Sequence, residues 1–329
     1  MTVGGAVAAP SGASAGPGGG AGGGASGGRR HGKGPLARAD ARTGLALISP
    51  TLVIVVVMVV LPILWTVLLA FQRLRLLNLR SSGLFGEFTL ANFEDVFASS
   101  QFWGTLGTTL AYSVCGTAAA IGLGLVAALA LRRPFPGRNL VRAAMLLPYV
   151  APVVAVTFAW TVMLNPQFGV INALGTGVLG WDRPIAFLSE QPTALLTIIA
   201  FEGWRSFPFA FLFLTARLQA VPGSLEEAAL VDGATVSQRF RYIVLPQLLP
   251  TIAVLAVLRF IWTFNTFDDI YLLTGGGAGT EVVSVAVFNS LTARGDIGGA
   301  AAQSLVLAAI LAVLVGLYLW KLAPSEEKT

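Results

Sequence analysis

Long apolar runs separated by short polar connections make up most of this chain. A helix that crosses a bilayer needs about 20 mostly apolar residues. Six segments qualify: Leu45 to Phe71, Thr105 to Leu131, Val141 to Leu164, Thr193 to Ala216, about Leu248 to Leu273, and about Gly299 to Leu322. The pattern predicts an all-α membrane protein with six transmembrane helices. Pro148 and Pro152 fall inside the third segment, so a kink or break is expected there. Residues 1–40 are rich in Gly and Ala and cannot bury enough apolar area to offset their ordering entropy; this stretch is expected to be a disordered tail. The membrane domain is expected over 41–323, with a short tail at 324–329.

Composition supports the membrane reading. Hydrophobic residues make up 55% of the chain and charged residues 11%, against about 25% charged in soluble domains. Mean hydropathy is +0.76. The formal charge of +5 does not point to nucleic acid, because the basic residues sit in short clusters beside the apolar runs. Cys115 is the single cysteine and has no internal disulfide partner. His31, the single histidine, lies in the tail, which argues against a histidine in catalysis or metal binding. No P-loop, His-Glu-x-x-His run, cysteine pair or nucleophile elbow occurs. The expectation is therefore no catalytic residue, no metal site and no cofactor within this chain.

The connections also predict orientation. With the N-terminus inside, 14 Lys and Arg residues fall on the cytoplasmic side and 5 outside. The positive-inside rule then places both termini in the cytoplasm. Arg73, Arg75 and Arg80 dissent locally, since they follow the first span on the outer side. The outer connections, 72–104, 165–192 and 274–298, are longer than minimal hairpins and suit an extracytoplasmic partner.

The same orientation puts the polar stretch at about 222–246 in the cytoplasm. Pro222-Gly223 interrupts the chain, and Ser224 with Glu227 reads as a capping box that starts a short helix. Ala228 and Ala229 keep one side of that helix slim. Asp232-Gly233 signals a turn. A second amphipathic stretch follows, carrying Phe240, Ile243 and Val244, and Pro246 is expected to mark its end.

This loop resembles the EAA loop of bacterial ABC import permeases: Glu227-Ala228-Ala229, three residues, Gly233, nine residues, Ile243, one residue, Leu245-Pro246. Similarity extends over roughly 45–322. Glu202-Gly203-Trp204, Pro208-Phe209, Leu218 to Pro222, Phe267 to Gly277, Asn92-Phe93 and Leu147-Pro148 all look like signatures of the carbohydrate branch. The resemblance implies the type I importer permease fold with a cytoplasmic coupling-helix loop in the bacterial cytoplasmic membrane. It implies ATPase docking through Glu226, Glu227, Ala228, Ala229, Asp232, Gly233 and Ala234. It further implies a second, different permease, two ATPase subunits that bind ATP and Mg, and an extracytoplasmic solute-binding protein. The solute expected is a sugar or sugar-like molecule. The alternatives are another solute, such as glycerol phosphate or a polyamine, or a stand-alone secondary transporter, which should show two inverted halves that are not visible here.

Ionisable groups inside a membrane are costly and face a cavity or a partner. Glu202 and Arg205 are spaced for an i,i+3 ion pair, while Arg259 is placed to reach Glu202 from the neighbouring span. On the fifth span Trp262, Asn265 or Thr266, and Asp269 share one helical face. With Glu202, Arg205 and Arg259 they are the candidate lining of a solute path. The duller reading makes Trp262 a packing residue or interfacial anchor and Asp269 a helix cap.

Overall fold

A computed structural model describes residues 46–78 and 87–322. The expected tail at 1–40, the residues at 324–329 and Arg80 lie outside the described residues. Chain contacts divide the protein into Met1–Val60 and Leu61–Thr329. In the first unit, the described residues 46–60 belong to the apolar helix α1 (Ala46–Ala70), and their large side chains are exposed.

The described residues of the second unit contain the rest of α1 and eleven further α-helices. These are α2 (Ala91–Ala98), α3 (Ser100–Ala130), α4 (Arg138–Val150), α5 (Val153–Met163) and α6 (Val170–Gly177). They continue with α7 (Thr193–Gln219), α8 (Gly223–Val231), α9 (Val236–Phe264), α10 (Asp268–Thr274), α11 (Val283–Thr292) and α12 (Ile297–Leu322). Helices α1, α3, α7, α9 and α12 are each long and apolar enough to cross a bilayer, and α4 with α5 form a pair bent by 96°. Taken as one broken span, that pair completes the six expected. The break falls at Ala151, whose extended backbone precedes Pro152. A residue before proline avoids the helical region, which explains the position. Pro148, by contrast, is accommodated inside α4.

The α3–α7 pair is the centre of the bundle. Small residues allow close approach: a Cβ on Gly124 would stand 2.7 Å from Ala210 Cβ, and one on Gly203 would stand 2.8 Å from Ala119 Cβ. Close backbone approach is how helices gain contact in lipid, where burial of apolar area offers no preference. At one end, Leu131, Leu218, Val244 and Leu248 join α3, α7 and α9 in an apolar cluster. At the opposite end, Asn92 donates to the Ala70 and Gln72 carbonyls at 2.9 Å each. The Leu74 carbonyl accepts from Ile297 and Gly298, so the end of α1 is tied to the start of α12.

One expected span is corrected. Leu248 to Leu273 is not a single helix: α9 ends at Phe264, and α10 begins anew at Asp268. Asn265 caps the first helix, and its side chain bonds back to the Ile261 carbonyl at 2.8 Å. Asp268 and Asp269 occupy the first turn of the second, where carboxylates interact favourably with exposed amides. The other end of α9 is longer than expected. Pro246 does not end a helix, because α9 runs on from Val236 through a π-helical turn at Phe240–Val244. The Leu245 amide reaches the Phe240 carbonyl across that wider turn, which gives the proline ring the room it lacks in a regular helix.

Candidate functional site

Two groups of residues stand out, the loop between α7 and α9 and a charge cluster within the spans. In the loop, α8 leaves α7 through Ala220–Pro222 and packs no large side chain into the core. Its start differs from the sequence expectation. Pro222 is the N-cap and no side chain caps the helix, so Ser224 and Glu227 do not form a capping box. The box is formed instead by Thr235 and Gln238 at the start of α9, with Gln238 N–H donating to Thr235 Oγ1 at 3.3 Å and Thr235 N–H to Gln238 Oε1 at 2.8 Å. The Thr-x-x-Gln spacing is the sequence signal for that cap.

The Asp232-Gly233 turn is present as expected. Gly233 has φ +78° with open space around its α-carbon, so its role is conformational rather than steric. Asp232 and Ala234 bond back to the carbonyls of Ala228 and Ala229 at 3.0 and 2.9 Å. Leu225, Leu230, Val231, Val236 and Tyr242 are all exposed, with Val231 at 88%. The two adjacent glutamates diverge. Glu227 is exposed. Glu226 pairs with Arg132 at the end of α3, Arg132 Nη1 donating to Glu226 Oε2 at 3.0 Å, and Nη2 engages the other carboxylate oxygen. Nothing in the local sequence around either residue signals that contact.

Within the spans, the i,i+3 pair between Glu202 and Arg205 does not form. Glu202 on α7 pairs with Arg259 on α9, and Thr263 Oγ1 donates to the same carboxylate oxygen at 2.9 Å. Arg205 turns to Asp269 on α10, Nε donating to Oδ2 at 3.3 Å. Glu202, Arg259 and Asp269 are buried, and Arg205 is partly so. Isolated buried charges are far more costly than paired ones, and each arginine here meets a carboxylate on a different element. The pairs therefore fasten α7 to α9 and to α10.

The break after Phe264 also separates the expected Trp262–Asn265–Asp269 stripe. Trp262 and Asn265 are exposed, whereas Asp269 is buried inside the chain. Trp262 packs edge-on to Phe209 with centroids 5.1 Å apart, and Phe209 lies next to Phe213 and Tyr149. The Arg259 guanidinium lies 5.7 Å from the Trp262 ring centre. The outcome is an aromatic shelf on α4, α7 and α9, backed by a neutralised charge pair.

Comparisons with known proteins identify the family and agree with the fold. The chain is 33% identical over 279 residues to the inner membrane ABC transporter permease protein YcjO of Escherichia coli (strain K12), spanning 84% of this chain and 93% of that one. It is 34% identical over 269 residues to the trehalose/maltose transport system permease protein MalF of Thermococcus litoralis, spanning 81% and 89%. Its fold matches a chain of a bacterial ABC transporter involved in the import of the acidic polysaccharide alginate, with a TM-score of 0.73 and 24% identity over 89% of this chain and 99% of that one. Residues 120–322 match the model of the binding-protein-dependent transport system inner membrane component. This chain is a member of that family: a multi-pass inner-membrane permease subunit of an ABC importer, with the type I fold.

Proposed function

We propose that this chain forms half of the translocation path for a sugar or sugar-like solute. A second, different permease supplies the other half. Two ATPase subunits bind ATP and Mg and dock on the loop at 222–246, and an extracytoplasmic solute-binding protein delivers the solute. Both termini lie in the cytoplasm in this reading, which the distribution of Lys and Arg favours. ATP-driven closure of the ATPases pushes on α8 and swings the spans between inward-open and outward-open states.

The observation that carries the docking role is the exposed apolar crown of the loop, Leu225, Leu230, Val231, Val236 and Tyr242. Large apolar side chains exposed together on one short polar connection favour a surface that another protein covers. Glu227, Ala228, Ala229, Asp232, Gly233 and Ala234 form the slim helix and turn that such a cover grips. For the solute, the shelf of Tyr149, Phe209, Phe213 and Trp262 offers flat apolar faces, and Asn265 is exposed just beyond Trp262 in the chain. Arg205 and Arg259 are both occupied by carboxylates, which favours a neutral, hydroxyl-bearing solute over an anion. The named solutes of the Thermococcus relative agree with that chemistry.

The test is co-expression with the neighbouring genes, followed by purification and uptake in proteoliposomes. The expected product is one copy of this chain, one second permease and two ATPases, with uptake of labelled disaccharide that depends on the binding protein. A functional homodimer would sink the heteromeric reading, and uptake confined to glycerol phosphate would sink the sugar reading.

A further inference from the structure

We infer that Arg132 and Glu226 form a strut that makes the docking helix rigid with the bundle, so that Glu226 is a positioning residue within the loop. The inference rests on the proposed docking of ATPases to that loop. Helix α8 is joined covalently to α7 through Ala220–Pro222 and to α9 through the turn at Asp232–Thr235. Joints only at its two ends leave a short helix free to roll about the line between them, and part of a push on its exposed side is then lost as rotation. The ion pair supplies a third attachment, to a helix that is not its neighbour in the chain. Arg132 lies just beyond the last residues of α3, and both its terminal nitrogens engage the Glu226 carboxylate. A bidentate guanidinium–carboxylate pair fixes orientation as well as distance.

The anchor on the α3 side is itself held. Arg138 Nε donates to the Leu131 carbonyl at 2.7 Å and Arg138 Nη2 to the Arg132 carbonyl at 3.1 Å. Arg142 adds a bond to the Leu131 carbonyl at 3.4 Å. Cations at the carbonyl end of a helix satisfy its free acceptors and its dipole. Leu131 is buried against the cluster that contains Leu218 and Val244, so the backbone carrying Arg132 cannot slide. On the other side, Glu226 sits in the first turn of α8. Helices α3, α7 and α8 therefore close a triangle, with packing on one side, a covalent turn at one corner and the ion pair at the other. A force on the exposed face of α8 enters α3 and α7 together.

The experiment uses the full complex in proteoliposomes with binding protein and saturating ATP. The variants are Glu226→Gln, Arg132→Gln, the double substitution, and the exchange Glu226→Arg with Arg132→Glu. Retention of the ATPases is read by co-purification, and coupling is read as solute moved per ATP hydrolysed. Each single variant is expected to keep its ATPases and to lower that ratio about tenfold. The double variant should be no worse than either single, and the exchange should recover most of the loss. An unchanged ratio in both singles overturns the strut. So does a double variant whose loss equals the product of the two, since that denotes independent roles. Loss of the ATPases from Glu226→Gln alone, with Arg132→Gln intact, makes Glu226 a direct docking residue and also overturns it. If the unmodified complex fails to hold ATPases when the loop is present, the docking reading itself falls, which is a separate result.

Discussion

Gly116 of α3 lies against the side chain of Glu202 on α7: a Cβ at position 116 would stand 2.9 Å from Glu202 Cγ and 3.4 Å from Thr263 Cγ2. The glycine thus makes room for a buried ion pair between two other helices. Gly116→Ala should push Glu202 away from Arg259 and Thr263. Overpacking of this kind costs about 1–3 kcal/mol. The expected result is a lower melting temperature of the detergent-purified protein. Unchanged melting would mean that the neighbouring side chains yield freely.

Glu202→Gln should be more damaging, because it leaves Arg259 charged and buried. Removing one partner of a buried pair costs about 3–5 kcal/mol. Replacing both residues with apolar ones of similar volume, Glu202→Leu with Arg259→Met, should restore much of the stability. Thermal unfolding of the single and double variants separates these cases. Equal losses in the two would show that the pair serves something other than mutual neutralisation.

Gly233→Val tests the loop. The position is open, so no clash results, but a left-handed backbone costs a residue with a Cβ about 1–2 kcal/mol, and a β-branched side chain more. Membrane insertion and melting of the spans should be nearly unaffected, because α8 adds little to the core. Solute uptake and transport-coupled ATP hydrolysis should both fall. Full coupled hydrolysis in this variant would remove the turn from the docking surface.

Asn265→Ala tests the solute path. Asn265 is exposed at the end of α9, just beyond Trp262, and its amide bonds back to its own helix. Substitution should leave folding and ATPase retention intact while lowering labelled-disaccharide uptake or shifting preference among sugars. Trp262→Ala should act in the same direction and more strongly, through loss of a flat apolar face. Asp269→Asn should behave differently, lowering stability along with uptake, because Asp269 holds Arg205 within the protein. Normal uptake by the Asn265 and Trp262 variants at every solute concentration would move the path to another face.

Legibility in the sequence depended on the range of each interaction. The first, second, fourth and sixth spans, the break near Pro152 and the turn at Gly233 rest on local chemistry, and all appear where residue type alone dictates them. The link from Arg259 to Glu202 was also legible, because two opposite charges in lipid have few alternatives. Arg205 was harder. Its neighbour Glu202 lay at an inviting local spacing, but the carboxylate on α10 won because burying Asp269 unpaired would have cost more. The break between Phe264 and Asp268 was written in Asn265, Thr266 and the two acids that follow, all residues that favour helix ends. Hydropathy concealed it, since the apolar residues continue across the break. Pro246 misled in the opposite sense, because a wider turn absorbs the ring without ending the helix. The contact between Arg132 and Glu226 joins residues distant in sequence and has no local signature.

The uninterrupted course of α9 has a mechanical consequence. At about 1.5 Å per residue, its 29 residues extend roughly 43 Å, beyond the hydrocarbon thickness of about 30 Å. One end begins at the Thr235 cap in the loop, and the other ends at Asn265, just beyond Trp262 of the aromatic shelf. Under the proposed function, the surface offered to the ATPase and the face offered to the solute would therefore share one helix. It departs from regular α-helix at the π-helical turn of Phe240–Val244, close to the loop end. Helices bend at such turns, so any bending there would subtract from the displacement that reaches Trp262.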